Sequence, residues 1–223
     1  MEFENFEREL KYLIKNKNFT IKEFLDLLFQ NGYKLVESFE KEKHETYYDD
    51  NNLTLLNKGD VLRGSNMITE EFKGFLYKKN MCVPDKPYVS KLEIGTKLNK
   101  NNNDINKFIN DLDVGVKNKL FIKLFAKMKR KVSIVEKGSD LLYVSYDEVK
   151  YYEEDESDCI YEDMLEIEDW KKPNSKDVSD YDKHLVELNN LILSSKIPLE
   201  LTKDSKYARG FLLLKHKRGK NGC

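Results

Sequence analysis

The chain has 223 residues, 39% hydrophobic and 35% charged, with a formal net charge of −1. That length buries a substantial core as one large domain or two small ones, and the balanced charge argues against the basic excess of nucleic-acid binders. Cys82, Cys159 and Cys223 are odd in number and lack C-x-x-C spacing. They read as free thiols in a reducing compartment, not as a disulfide frame or zinc site. No apolar run reaches about 18 residues and no basic-then-apolar leader opens the chain, so no membrane partner is expected and the protein is assigned to the cytoplasm.

Residues 4–13 read as a first strand. Alternation places Glu7, Glu9 and Lys11 on one face and Arg8, Leu10 and Tyr12 on the other. Two carboxylates about 7 Å apart on one face repel each other unless a cation or basic side chains lie between them. Residues 18–31 follow as a helix, with Thr20 as N-cap, Glu23 completing a capping box and Gly32 as the stop. This helix covers one face of a sheet. Residues 33–48 are extended, 49–52 carry turn chemistry, and Leu53, Leu55 and Leu56 form a short apolar turn. Candidate strands at 61–63, 71–78 and 88–94, closely spaced, indicate an antiparallel meander able to close as a barrel.

A polar loop at 99–103 separates the two halves, and Asp104 caps a helix running to Leu112. Extended segments follow at 121–135, 141–149 and 159–170. Gly138–Asp140 turns between the first two, and the acidic turn at 153–158 reads as solvated. The segment at 159–170 repeats the opening pattern, with Glu162, Met164, Glu166 and Glu168 on one face. Residues 177–193 form an amphipathic helix through Leu185, Leu188 and Ile192, with Pro198 beyond its end. A single domain at 1–214 and a frayed basic tail at 215–223 complete the reading. His44 reads as an ordinary strand histidine, and Tyr47 and Tyr48 as packing residues.

Taken in order, these segments resemble the CYTH superfamily, the triphosphate tunnel metalloenzymes. Glu7-x-Glu9-x-Lys11 is similar to the family's opening E-x-E-x-K. Tyr47–Asp50, Leu53-x-Leu55-Leu56 and Gly59-x-x-Leu62-Arg63 are similar to its tyrosine–aspartate strand, leucine turn and L-R-x-R strand. Phe75–Lys78, Lys91-x-Glu93, Lys127-x-Lys129, Tyr146–Val149, Met164-x-Glu166-x-Glu168 and Ser205-Lys206-Tyr207 match later strands and the short S-K-Y segment. Glu9–Ile14 also resembles the related polyphosphate-polymerase domains. Ser65, Gly95 and Met164 stand where the family usually has charged residues; Glu162, on the same face, is a candidate to replace the acid missing at Met164.

The resemblance implies an α+β fold, a closed antiparallel eight-stranded β-barrel whose lumen is charged, with helices at 20–31, 104–112 and 177–193 packed outside. Lys11, Arg63, Lys78, Lys91, Lys127, Lys129 and Lys206 would hold phosphate oxygens, Arg63 alone offering a bidentate fork. Lys127 and Lys129 read equally well as a solvated strand edge. Glu7, Glu9, Glu93, Asp147, Glu166 and Glu168 would hold Mg²⁺ or Mn²⁺, hard cations that prefer oxygen. Glu7, Glu9, Lys11, Arg63 and Glu166 would carry catalysis. The implied activity is metal-dependent hydrolysis of a triphosphate: inorganic triphosphate, then nucleoside or thiamine triphosphate. A non-catalytic phosphate- or nucleotide-binding module and a class IV-type adenylate cyclase stay open, as does a monomer or homodimer.

Overall fold

The computed structural model describes residues 3–67, 73–81, 85–97, 119–169 and 178–221, together with residues 108, 110, 112 and 116. Chain order gives β1 (Phe3–Ile14), α1 (Ile21–Gln30), β2 (Lys34–Asp49), α2 (Thr54–Lys58), β3 (Val61–Met67), β4 (Lys73–Asn80) and β5 (Val89–Lys97). Then come β6 (Phe121–Lys137), β7 (Asp140–Tyr152), β8 (Ile160–Asp169), α3 (Val178–Ser194), β9 (Leu199–Leu201) and α4 (Lys206–Asn221). The loop expected at 99–103, most of the helix expected at 104–112, Cys82 and Cys223 lie outside the described residues.

The strands run in the order β5-β4-β3-β2-β6-β7-β8-β1-β9, and β5 also pairs with β1. Eight strands therefore form a closed antiparallel ring, with β9 added beside β1. The closure falls on β1, which pairs with β5 through residues 3–9, with β8 through residues 9–13 and with β9 through residues 12–14. A ring has no free edges, and alternation sorts every strand into an inner and an outer set.

The outer set is apolar where helices cover it. Leu10 and Tyr12 of β1, Leu142 and Val144 of β7, and Leu165 and Ile167 of β8 are buried against Phe24 and Leu28 of α1 and Leu185, Leu188 and Ile192 of α3. Burying such residues stabilises the fold by roughly 1.5–3 kcal/mol each. Thr20 is the N-cap of α1, but its side chain makes no cap bond to the backbone; its hydroxyl meets the Glu23 carboxylate at 3.3 Å instead. Gly32 closes α1 at φ +88°, a conformation that L side chains rarely adopt.

Two expectations are corrected. The leucine turn is a helix, α2, whose start is held by carboxylates. Asp49 accepts the N–H groups of Leu55 and Leu56 at 3.0 and 2.9 Å, and Asp50 that of Thr54 at 3.0 Å. The tail is not frayed through 215–221, because α4 continues to Asn221 and its Lys217 and Arg218 pair with Asp158 and Glu153. The acidic turn at 153–158 thus anchors cations. Near the start of α4, Tyr207 stacks on Tyr47 at 5.6 Å and donates to Asp49 at 3.1 Å. Tyr207 and Leu214 pack with the inward residues Leu124 and Tyr151, so α4 covers one end of the ring.

Candidate functional site

The inner faces of β1 to β8 and the start of α4 enclose a cavity of about 250 Å³. Glu7, Glu9, Glu93, Glu166, Glu168, Lys11, Arg63, Lys78, Lys91 and Lys206 all line it, as do Lys43 and Arg130. Glu45 and Asp147 are buried beside it, at 3% and 0% exposure. Alternation on β1 accounts for three of these groups, and the partner strands bring the rest. Across the ladder Lys11 stands opposite Glu166, Glu9 opposite Glu168 and Glu7 opposite Lys91.

Most of these charges are paired. The Lys78 ammonium lies 2.6 Å from Glu7 and 2.5 Å from Glu93. Glu9 accepts from Lys11 at 2.9 Å and from Lys91 at 3.0 Å. Burial alone would push the Glu9 carboxyl up, but these two ammonium groups hold it well below the usual carboxylate range. Deeper in, Arg130 grips Asp147 with two bonds of 2.6 and 2.5 Å and reaches Glu166 at 2.8 Å. Lys206 bridges the same two acids at 3.0 and 2.5 Å. Despite burial, Lys206, Lys11 and Arg130 keep Glu166 far below its ordinary value. Arg63 pairs with Glu45, which also accepts the Tyr47 hydroxyl at 2.5 Å.

One corner differs. Glu7, Glu9 and Glu168 each place a carboxylate oxygen within 4.8 Å of the others. Burial first, then the charges of Glu7 and Glu9, push the Glu168 carboxyl up to about 8. Clustered oxygen donors suit a hard divalent cation, which would relieve that repulsion. A second unmet group lies in the lumen: among the described residues, Arg63 Nε is a buried donor with no acceptor. Both features fit a metal and an oxyanion.

The structure brings together all but two of the predicted side chains. Lys127 pairs at 2.5 Å with Glu156 of the 153–158 turn, and Lys129 is exposed on the outer face of β6. The inward set on β6 is Leu124, Ala126, Met128 and Arg130, so Arg130 is the cation this strand contributes to the lumen. Arg63 is therefore not the lone guanidinium. Glu162 does not replace the acid absent at Met164, because Arg209 of α4 holds it through bonds of 3.2 and 2.5 Å. Lys43, Glu45 and Arg130 were not singled out from the sequence. Arg130 had a readable signal, a lone charge within an apolar alternate set; Lys43 and Glu45 had none, since both faces of β2 mix charge and aromatics. Tyr47, read as packing, lines the cavity.

A scan against protein-family models finds no match, and neither does a search of curated proteins. Solved structures do match. The PH1819 protein of Pyrococcus horikoshii superposes with a TM-score of 0.55 at 18% identity, covering 96% of this chain and 99% of that one. A Bacillus halodurans protein carrying an adenylate-cyclase name gives 0.54 at 14% identity, covering 92% and 97%. A Hippeastrum protein with an adenylyl-cyclase name, described as revealing a dominant triphosphatase activity, gives 0.52 at 14% identity, covering 91% and 93%. The closed eight-stranded ring, which these structures match over almost the whole chain, gives this chain the triphosphate tunnel fold.

Proposed function

We propose that this lumen binds a triphosphate-containing small molecule and hydrolyses its terminal phosphoryl group with the help of a divalent metal. One observation carries the reading: a corner where three carboxylates converge opens onto the same cavity as Lys11, Lys43, Arg63, Lys78, Lys91, Arg130 and Lys206. A polyanion and a hard cation satisfy the two halves together, and neither suits both alone.

Glu7, Glu9 and Glu168 would hold the metal; bound Mg²⁺ or Mn²⁺ would neutralise phosphate charge. Arg63, through its unmet Nε donor, and Lys78 and Lys91 would bind phosphate oxygens. Lys11, Arg130 and Lys206 keep Glu166 and Asp147 ionised and fixed. In the reaction, water oxygen bonds to the terminal phosphorus and the bond to the bridging oxygen breaks, leaving the shortened phosphate chain.

Phosphate release from inorganic, nucleoside and thiamine triphosphates, measured with Mg²⁺, Mn²⁺ or EDTA, tests the proposal. Metal-dependent release from the native protein, lost in Arg63→Ala and Glu168→Gln, is the expected result. Release from none of the substrates would overturn it. Ligand-raised melting temperature without release would mark a binding module, and pyrophosphate from ATP a cyclase.

A further inference from the structure

Of the cations that line the lumen, Lys43 is the one left out of the pairing described above. It lies on the inward face of β2 between Lys41 and Glu45, opposite Met67 of β3 and Met128 of β6. Neither methionine offers a charge. Glu45, the acid next along that face, has both carboxylate oxygens engaged, Oε1 by the Arg63 guanidinium and Oε2 by the Tyr47 hydroxyl. Further in, Asp147 of β7 and Glu166 of β8 are bonded to Arg130 and to Lys206 of α4. Among the described residues Lys43 makes no ion pair and no hydrogen bond. The charges that act on it are Arg130, Glu45, Arg63 and Lys41, three of them cations. Burial first, then Arg130, push the Lys43 ammonium down to about 7.

We infer that Lys43 is the group through which the lumen takes up a proton as a polyphosphate settles in it; this rests on the triphosphate reading above. Arg63 is bonded to Glu45, and Glu45 and Lys43 are about 7 Å apart along one face of an extended strand. A phosphate on the unmet Arg63 Nε therefore comes to rest beside an amine that has no acid of its own. The phosphate becomes the missing counter-ion, and the protonated form of Lys43 becomes the favoured one. Without ligand, the neutral amine spares the lumen an unpaired charge. Lys11 and Lys78 have no proton to gain, because the acids bonded to them already hold them protonated. Burial also pushes Lys91 down, but Lys91 keeps Glu9 as a counter-ion at 3.0 Å. Because the bound state carries the extra proton, this group makes polyphosphate affinity fall as pH rises above about 7.

Calorimetric titration with inorganic triphosphate in EDTA, in two buffers of different ionisation heat, counts the protons taken up without metal or turnover. At pH 8 the native protein is expected to take up close to one proton more than Lys43→Met, a comparison in which the ligand's own protons cancel. Lys43→Met is expected to bind about tenfold more weakly at pH 7. Lys43→Arg keeps a permanent charge. It is expected to bind at pH 8 at least as tightly as the native protein and to lose the extra proton. Between pH 7 and 9 native affinity is expected to fall, relative to Lys43→Arg, by up to tenfold per unit. Equal proton uptake by the native protein and either variant would overturn the inference. Acetic anhydride labelling of the ligand-free protein from pH 6 to 10, read peptide by peptide, gives the midpoint of Lys43 itself. A midpoint near 7 is expected, and one near 10 would overturn the inference whatever the ligand does. Proton uptake without phosphate release would refute the hydrolytic proposal alone, and phosphate release with equal uptake in Lys43→Met would refute this inference alone.

Discussion

Two parts of the same lumen are balanced differently. Around Arg130, Asp147, Glu166 and Lys206, every charge has a partner within about 3 Å and the array is complete without a ligand. At Glu7, Glu9 and Glu168, three carboxylates converge and Glu168 is held protonated to about pH 8. The first part is a scaffold in which buried ions stabilise one another; in the second, Glu7 and Glu9 pair with Lys78, Lys11 and Lys91, yet their charges still repel the Glu168 carboxyl. The difference teaches where to look for the ligand: at the corner whose electrostatics are unfinished.

Substitutions should separate the two parts. In the acidic corner, Glu168→Gln is expected to lower metal-dependent phosphate release at least about 100-fold while raising ligand-free stability at pH 8, because it removes a poorly accommodated charge. A steady-state assay beside a urea titration reads both, and a destabilised protein would erase the distinction. In the scaffold, Arg130→Ala leaves Asp147 buried without its two guanidinium bonds and is expected to cost about 3–5 kcal/mol in the same titration. A loss under 1 kcal/mol would show that Lys206 alone suffices there.

Gly210 is the next sharpest test, on the closed end of the ring. A Cβ there would lie 2.5 Å from Tyr151 Cδ1 and 2.6 Å from Leu124 Cδ2. Gly210→Ala is expected to destabilise by about 1–3 kcal/mol through overpacking between α4 and the ring. A melting temperature equal to that of the native protein would mean that α4 is not seated there.

The acidic corner also sets a pH dependence. Glu168 keeps its proton in the folded chain up to about pH 8, whereas the unfolded chain releases it near 4.5. Between those limits the folded state binds more protons, so the contribution of Glu168 makes stability fall as pH rises. Bound metal must displace that proton, so Mn²⁺ affinity is expected to climb between pH 6 and 8, by up to tenfold per unit. Flat affinity over that range would remove Glu168 from the ligand set. The smallest effect belongs to the outer face: Lys129→Ala is expected to change stability by less than about 0.5 kcal/mol and to leave phosphate release unchanged.

Much of the ring was legible because alternation is local. Glu7-x-Glu9-x-Lys11 and Glu166-x-Glu168 announced charged inner faces, and the opposite sets, Leu10 and Tyr12 or Leu165 and Ile167, announced helices over them. On β6 the same reasoning misplaced Lys127 and Lys129. Three lysines at 127, 129 and 131 drew attention to the odd-numbered set, yet the even-numbered set from 124 to 134 is apolar apart from Arg130 and faces inward. On β2, no contrast between the two faces existed to be read, which is why Lys43 and Glu45 escaped notice.

The amino-acid order alone determined which segments become strands and which alternate sets differ in chemistry, since the two-residue period of a strand acts without distant contacts. Only the closed ring decided which set faces inward, which cation each acid meets and which three carboxylates converge. Those outcomes depend on register between strands far apart in the chain, and a shift of one residue would exchange the faces.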